Sequence, residues 1–137
     1  MHTGIDEVPT LQRLGWSDFW QDEPTEHVGR VVEETGTWFD VQGEFGTVRT
    51  TLGGAVRREF RPTTGDWVRL DDTRERIEAV LPRRTALVRQ AAGEVTRFQV
   101  LATNVDVVFI VTSMNEEFNE SRLERYLSVV YEAGASP

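Results

Sequence analysis

Six arginines and two aromatic residues carry the most specific chemistry in this chain. Arg49, Arg57, Arg58 and Arg61 fall within one short stretch, Arg83 and Arg84 stand next to each other further on, and Trp38 and Phe39 precede them all. Clustered guanidinium groups favour phosphate, because each forms paired hydrogen bonds with it and releases counterions from a polyanion. Aromatic faces beside them offer platforms on which nucleobases stack. The eight residues are therefore candidates for nucleic-acid contact. If Trp38 and Phe39 share a strand, one of them must point inward, since successive residues alternate faces. A competing reading puts the aromatic residue in a core and pairs the arginines with Glu59, Glu75 and Glu78.

Catalytic and metal chemistry have less to work with. His2 and His27 have no partner at ligand spacing, and the doublets Asp71/Asp72 and Glu116/Glu117 fall in a predicted turn and a solvated helix approach. There is no cysteine, hence no disulfide framework, thiolate metal site or cysteine nucleophile, which suits a reducing cytoplasm. The phosphate-cradling sequences GxxxxGK[ST] and GxGxxG do not occur, and the glycine pair Gly53–Gly54 lacks the lysine and the helix that should follow. The 137 residues by themselves offer no route to nucleotide hydrolysis.

A net charge of −8 ordinarily argues against a nucleic-acid partner, but the charges are unevenly spread. Residues 1–44 hold 2 Arg against 10 acids, 45–100 hold 11 against 7, and 101–137 hold 2 against 6, so a basic middle lies between acidic flanks. All 15 basic residues are Arg, which points to genomic composition bias and lowers the weight of Arg enrichment alone. No window approaches the roughly 18 apolar residues of a membrane span, and the N-terminus lacks the basic-then-apolar order of a signal peptide. A soluble cytoplasmic protein with no membrane partner is the expectation.

The elements that position these residues follow from periodicity. Leu11–Trp20 has apolar residues near helical spacing, interrupted by Gly15, and predicts a short helix. Five short strands are predicted over 28–33, 37–41, 45–52, 66–70 and 74–81. Glu34, Thr35 and Gly36 suit the first turn, Gly43 and Gly46 the second, and Asp71, Asp72 and Thr73 the last. Gly53, Gly54 and Pro62 take the chain out of the sheet between the third and fourth strands. Five strands in about 55 residues with that odd connection match an OB-fold, a small Greek-key barrel. Trp67 belongs to its core, and Trp16 and Trp20 fix the N-terminal helix to it.

Residues 105–111 form a run polar only at Asp106, as in a parallel strand covered on both faces. Asn119 reads as the N-cap of a helix with Leu123, Leu127 and Val130 on one face and Gly134 as its stop. A strand and a crossover helix are two thirds of a βαβ unit, and the expectation is that the chain stops before the third element. The expected architecture is thus mainly β. An N-terminal extension with a short helix covers 1–26, a five-stranded OB-fold barrel 27–82, and an irregular linker 83–103. The first strand and helix of a truncated α/β domain occupy 104–137.

The sequences LGWSDFW, TGDWVRL and LPRRT, and above all QVLATNVDVVFIVTSMNEEFNESRLERYL, resemble the ribosome small-subunit-dependent GTPase A family (RsgA, also called YjeQ) from about Leu11 to Pro137. The order QVLATNVD departs mildly from the family's commoner Ile-Ala-Ala-Asn. The resemblance implies an N-terminal OB-fold, a circularly permuted GTPase domain and a zinc-binding helical domain. It further implies GTP hydrolysis stimulated by the small ribosomal subunit, a role in late subunit maturation, and docking of the barrel on ribosomal RNA. In a permuted domain the guanine-reading NKxD comes after the helix, and the P-loop and magnesium switches come later still. On that reading no residue here has a counterpart among the family's GTP, magnesium or zinc ligands, and the chain docks without catalysis. Its partners are then the small subunit, its RNA and the remainder of its own GTPase domain. The alternative makes the barrel mainly a protein-interaction and domain-positioning element.

Overall fold

Two hairpin turns organise the first sheet. The structure, a computed structural model, describes residues 8–56, 60–91, 97–115 and 118–137 and divides into two compact units, Met1–Pro82 and Arg83–Pro137. In the first, β1 (Val28–Glu34), β2 (Phe39–Gly43) and β3 (Gly46–Leu52) pair antiparallel in succession. Only Glu44 and Phe45 separate β2 from β3. Gly43 has to be glycine there, since a Cβ would lie 2.6 Å from the Phe45 ring and 2.8 Å from the Val28 carbonyl oxygen.

β4 (Trp67–Leu70) and β5 (Arg76–Val80) close a barrel in the order β1-β2-β3-β5-β4, with β5 parallel to β3 and β4 returning antiparallel to β1. This is the OB-fold arrangement, and closure leaves no long unpaired edge. The β4–β5 turn is built on Asp71. Its carboxylate accepts from the Glu75 N–H at 2.9 Å, the Arg76 N–H at 3.2 Å and the Thr73 hydroxyl at 3.0 Å. Burial pushes this carboxyl up, but those donors, together with the Arg74 N–H, outweigh it and hold the group below its ordinary value.

Strand alternation directs Val31, Phe39, Val41, Val68, Leu70 and Ile77 into the barrel core, each contributing roughly 1.5–3 kcal/mol on full burial. A second cluster of Leu11, Trp20, Val28, Trp67 and Leu81 caps one end, with Trp16 packed edge-on against Trp67 at 4.9 Å. The Trp20 indole N–H donates to the Pro82 carbonyl at 2.8 Å. The helix expected over 11–20 contracts to hydrogen-bonded turns and a three-residue 3₁₀ segment, Asp18–Trp20. Gly15, at φ +105°, breaks it, and its carbonyl neighbour Leu14 accepts instead from Arg30 at 2.6 Å.

The second unit differs more from expectation. Residues 83–103, expected as an irregular linker, contain an antiparallel hairpin of β6 (Ala86–Ala91) and β7 (Arg97–Thr103). A register shift at Leu87/Val88 and exposed faces on both strands remove the clean alternation that would reveal it. Its base is tied by Asn104, whose N–H donates to the Thr85 carbonyl and whose side chain accepts from the Arg84 N–H at 2.7 Å.

The apolar run 105–111 makes a single parallel bridge, Val107 to Ser136, through Ser136 N–H to Asp106 and Val108 N–H to Ser136. A parallel strand takes its ladder from neighbours, and among the described residues this is the only segment that run pairs with. Phe109 and Val111 are accordingly exposed. α1 (Glu120–Glu132) starts as expected, the Asn119 side chain accepting from the Arg122 N–H at 3.1 Å, and ends at Gly134 with φ +83°. Leu123 and Leu127 are half-buried and Val130 fully so, which is the expected face.

Candidate nucleic-acid interface

Register decides what the aromatic pair does. Phe39 is the first residue of β2 and is fully buried, so Trp38, one residue earlier, faces outward and is 38% exposed. On the same outer face Asp40 lies directly opposite Arg49 of β3. The Arg49 guanidinium grips that carboxylate with Nε at 2.9 Å and Nη2 at 3.2 Å, and its central carbon lies over the Trp38 ring at 4.9 Å from the centroid. The hydrogen bond from Arg49 holds the Asp40 carboxyl below its ordinary value, and the same bond raises Arg49. Glu33, opposite Asp40 on β1, adds a second negative neighbour.

Arg61 comes from the connection that leaves the sheet after β3. Its Nη2 donates to the carbonyls of Thr35, at 2.7 Å, and Gly36, at 3.3 Å, in the β1–β2 loop, and its guanidinium sits 4.7 Å from the centroid of Phe39. The loop is a tight turn in its own right, because the Thr35 hydroxyl accepts from the Trp38 N–H at 3.1 Å and Trp38 returns its carbonyl to the Thr35 N–H at 2.9 Å. Arg61 thus fixes the loop that presents Trp38 while keeping its charge, since carbonyls do not neutralise it.

Of the eight residues singled out by type, the barrel gathers Trp38, Phe39, Arg49 and Arg61 in one region, with Phe39 serving the core. Arg57 and Arg58 lie outside the described residues. Arg83 and Arg84 belong to the second unit, where the Arg84 side chain forms an ion pair with Asp106. The carboxylate that meets Arg49 is Asp40, and Arg61 meets backbone carbonyls, so neither uses Glu75 or Glu78.

Two members of the region were not singled out. Phe60, next to Arg61, is 64% exposed, and its position between two arginines in REFRP was the available signal. Asp40 was legible from the turn alone: a two-residue hairpin at Glu44–Phe45 pairs Gly43 with Gly46 and therefore Asp40 with Arg49. An exposed indole, a guanidinium stacked on it and a neighbouring unneutralised cation suit contact with a single-stranded nucleic acid. The β2–β3 face and the β1–β2 loop are also where OB-folds bind oligonucleotides. Among the described residues no group of three or more His, Asp or Glu side chains could hold a metal ion, and no helix is long and apolar enough to cross a membrane.

The barrel gives the class, an OB-fold, and the chain continues into a second unit of one hairpin and one helix. The crystal structure of YloQ, a circularly permuted GTPase, superposes with a TM-score of 0.58 at 19% identity over 84% of this chain and 40% of that one. The family model described as RsgA GTPase matches residues 80–137. Similar curated proteins are the small ribosomal subunit biogenesis GTPase RsgA 2 of Vibrio vulnificus (strain CMCP6), 37% identical over 93% of this chain and 37% of its own length, and RsgA of Xanthomonas axonopodis pv. citri (strain 306), 38% identical over 96% and 40%. RsgA 1 of Oceanobacillus iheyensis is 48% identical over 61% of this chain and 25% of its own. The chain is thus similar to RsgA GTPases along most of its length, and it spans about two fifths of the length of these first two relatives.

Proposed function

We propose that this chain docks an RsgA-type GTPase on the small ribosomal subunit by contacting ribosomal RNA through the outer face of β2 and β3 and the β1–β2 loop, in the cytoplasm. The observation that carries the reading is the Trp38–Arg49 stack beside the unneutralised Arg61. Arg57 and Arg58 belong to the same connection as Arg61 and would add phosphate contacts. GTP hydrolysis, with its magnesium, and zinc binding are then tasks of the wider family protein. The exposed run from Val107 to Val111 fits packing against further elements of such a GTPase domain.

Co-sedimentation of the chain with small subunits at low and moderate salt tests this. Binding that weakens as salt rises supports RNA contact, and absence of binding even at low salt refutes it. A second reading, the barrel as a protein-interaction and domain-positioning element, is favoured by the net charge of −8. Charge reversal of Arg57, Arg58 and Arg61 to Glu separates the two, because unchanged subunit binding would favour the second.

A further inference from the structure

The two cations on the barrel face are not equivalent. Arg61 is hydrogen-bonded to the neutral carbonyls of Thr35 and Gly36, so its charge stays available to an incoming phosphate. Arg49 is gripped side-on by Asp40, with Nε and Nη2 both committed and the carboxylate in direct cross-strand register. Glu33 stands opposite Asp40 on the next strand, so the ground around Arg49 is closer to neutral than its composition suggests. The paired guanidinium keeps one property: a flat, polarisable surface, here placed over the Trp38 indole at 4.9 Å from its centroid.

Guanidinium planes and aromatic rings are the surfaces on which proteins stack unpaired bases. A duplex offers phosphates but no open base face. Resting on the reading of this face as an RNA contact, we infer that Asp40 is a positioning residue. It holds Arg49 flat against Trp38 so that the pair takes an unpaired nucleobase in preference to a phosphate, and the face selects single-stranded over duplex RNA. Arg61 supplies the adjoining phosphate contact.

The chemistry is specific about what each substitution does. Trp38→Ala removes the ring and the support for Arg49, while leaving the Asp40–Arg49 pair and the Arg61 charge. Asp40→Asn keeps the side chain's shape, releases the guanidinium from its fixed plane and adds one net positive charge to the face. Stacking should fall and phosphate attraction should rise.

The test measures filter binding of the full 137-residue chain to an eight-nucleotide oligouridylate, an eight-nucleotide oligoadenylate and an eight-base-pair RNA duplex across a salt series, alongside small-subunit co-sedimentation. Wild type should prefer the single strands, and Trp38→Ala should weaken them by about 5- to 100-fold with little change on the duplex. Asp40→Asn should narrow the single-strand preference and steepen the salt slope on the duplex by about 0.7–0.9. Circular dichroism of each variant establishes that the barrel is intact, and Trp38→Phe, which keeps a ring, should restore most of the preference.

Equal wild-type affinity for single strand and duplex, with subunits still bound in a salt-dependent way, overturns the inference and leaves the RNA-docking reading standing. An unchanged preference in Asp40→Asn likewise removes the role given to that residue. If no RNA binds and subunits do not co-sediment, both fall. If Trp38→Ala spares every RNA but abolishes subunit binding, the face contacts a ribosomal protein and the inference is wrong.

Discussion

Replacing Arg61 by alanine separates its mechanical role from its electrostatic one. The side chain gives the β1–β2 loop hydrogen bonds to two carbonyls, the shorter at 2.7 Å, and lies over Phe39 at 4.7 Å. A net hydrogen bond contributes about 0.5–1.5 kcal/mol, and a cation–π contact at an open site about 0.5–1 kcal/mol. Truncation should therefore cost about 1–2.5 kcal/mol. In a unit the size of Met1–Pro82 that lowers the melting midpoint by roughly 5–15 °C, followed by circular dichroism. Because Arg61 meets no carboxylate among the described residues, the same substitution should remove one phosphate contact, reducing the salt slope of subunit binding by about 0.7–0.9. Arg61→Lys is the control: it keeps the charge and the slope but loses the flat fork, and with it part of the thermal stability. A lowered midpoint with an unchanged slope in the alanine variant would refute the reasoning, since Arg61 would then be a loop staple and nothing more.

Phe39→Ala empties the centre of the barrel and should cost about 3–5 kcal/mol, a large share of the stability of a unit this size, whereas Trp38→Ala one residue away should lower its melting far less. Gly43→Ala, whose Cβ would meet the Phe45 ring at 2.6 Å, should destabilise by about 1–3 kcal/mol and shift the β2–β3 amide resonances. Asp71 is held below its ordinary value of 3.8, so the stability it adds is fully present above that value and is lost as pH falls below it through the depressed folded value. The stability gap between wild type and Asp71→Asn in urea titrations should accordingly close as pH drops below 3.8, and a gap that widens instead would contradict the turn geometry. The chain alone should show no GTP turnover in a sensitive phosphate-release assay.

The barrel was legible because its turns are written in residues with few alternatives: the Gly43–Gly46 pair, the Asp71 turn and the glycine–proline exit between β3 and β4. Strand ends moved by one or two residues, which periodicity does not resolve. The β6–β7 hairpin escaped because the register shift at Leu87/Val88 and the unbroken half-buried run Ala86–Val88 leave β6 without alternation. The run 105–111 showed the opposite mismatch, with side chains suited to burial but a single bridge to pair with.

At the site, residue type identified Trp38, Arg49 and Arg61 but not their relations. Which of Trp38 and Phe39 turned outward depended on pairing register, and the partner of Arg49 lay nine positions away across a hairpin. Arg84 looked like Arg49 in the sequence, yet its partner is Asp106, a relation set by how the second unit folds on itself. Charge counting treats all these guanidiniums alike, and only geometry shows which ones are already neutralised.

The distribution of indoles has a practical consequence. Trp20 and Trp67 are buried together at the barrel end with Trp16 packed against them, while Trp38 alone stands out on the opposite kind of surface, under a guanidinium. Emission from the chain therefore has a blue, sheltered component that reports the integrity of the barrel end and a red, quenchable one that reports the β2–β3 face. Association and unfolding can be followed in one cuvette without a label.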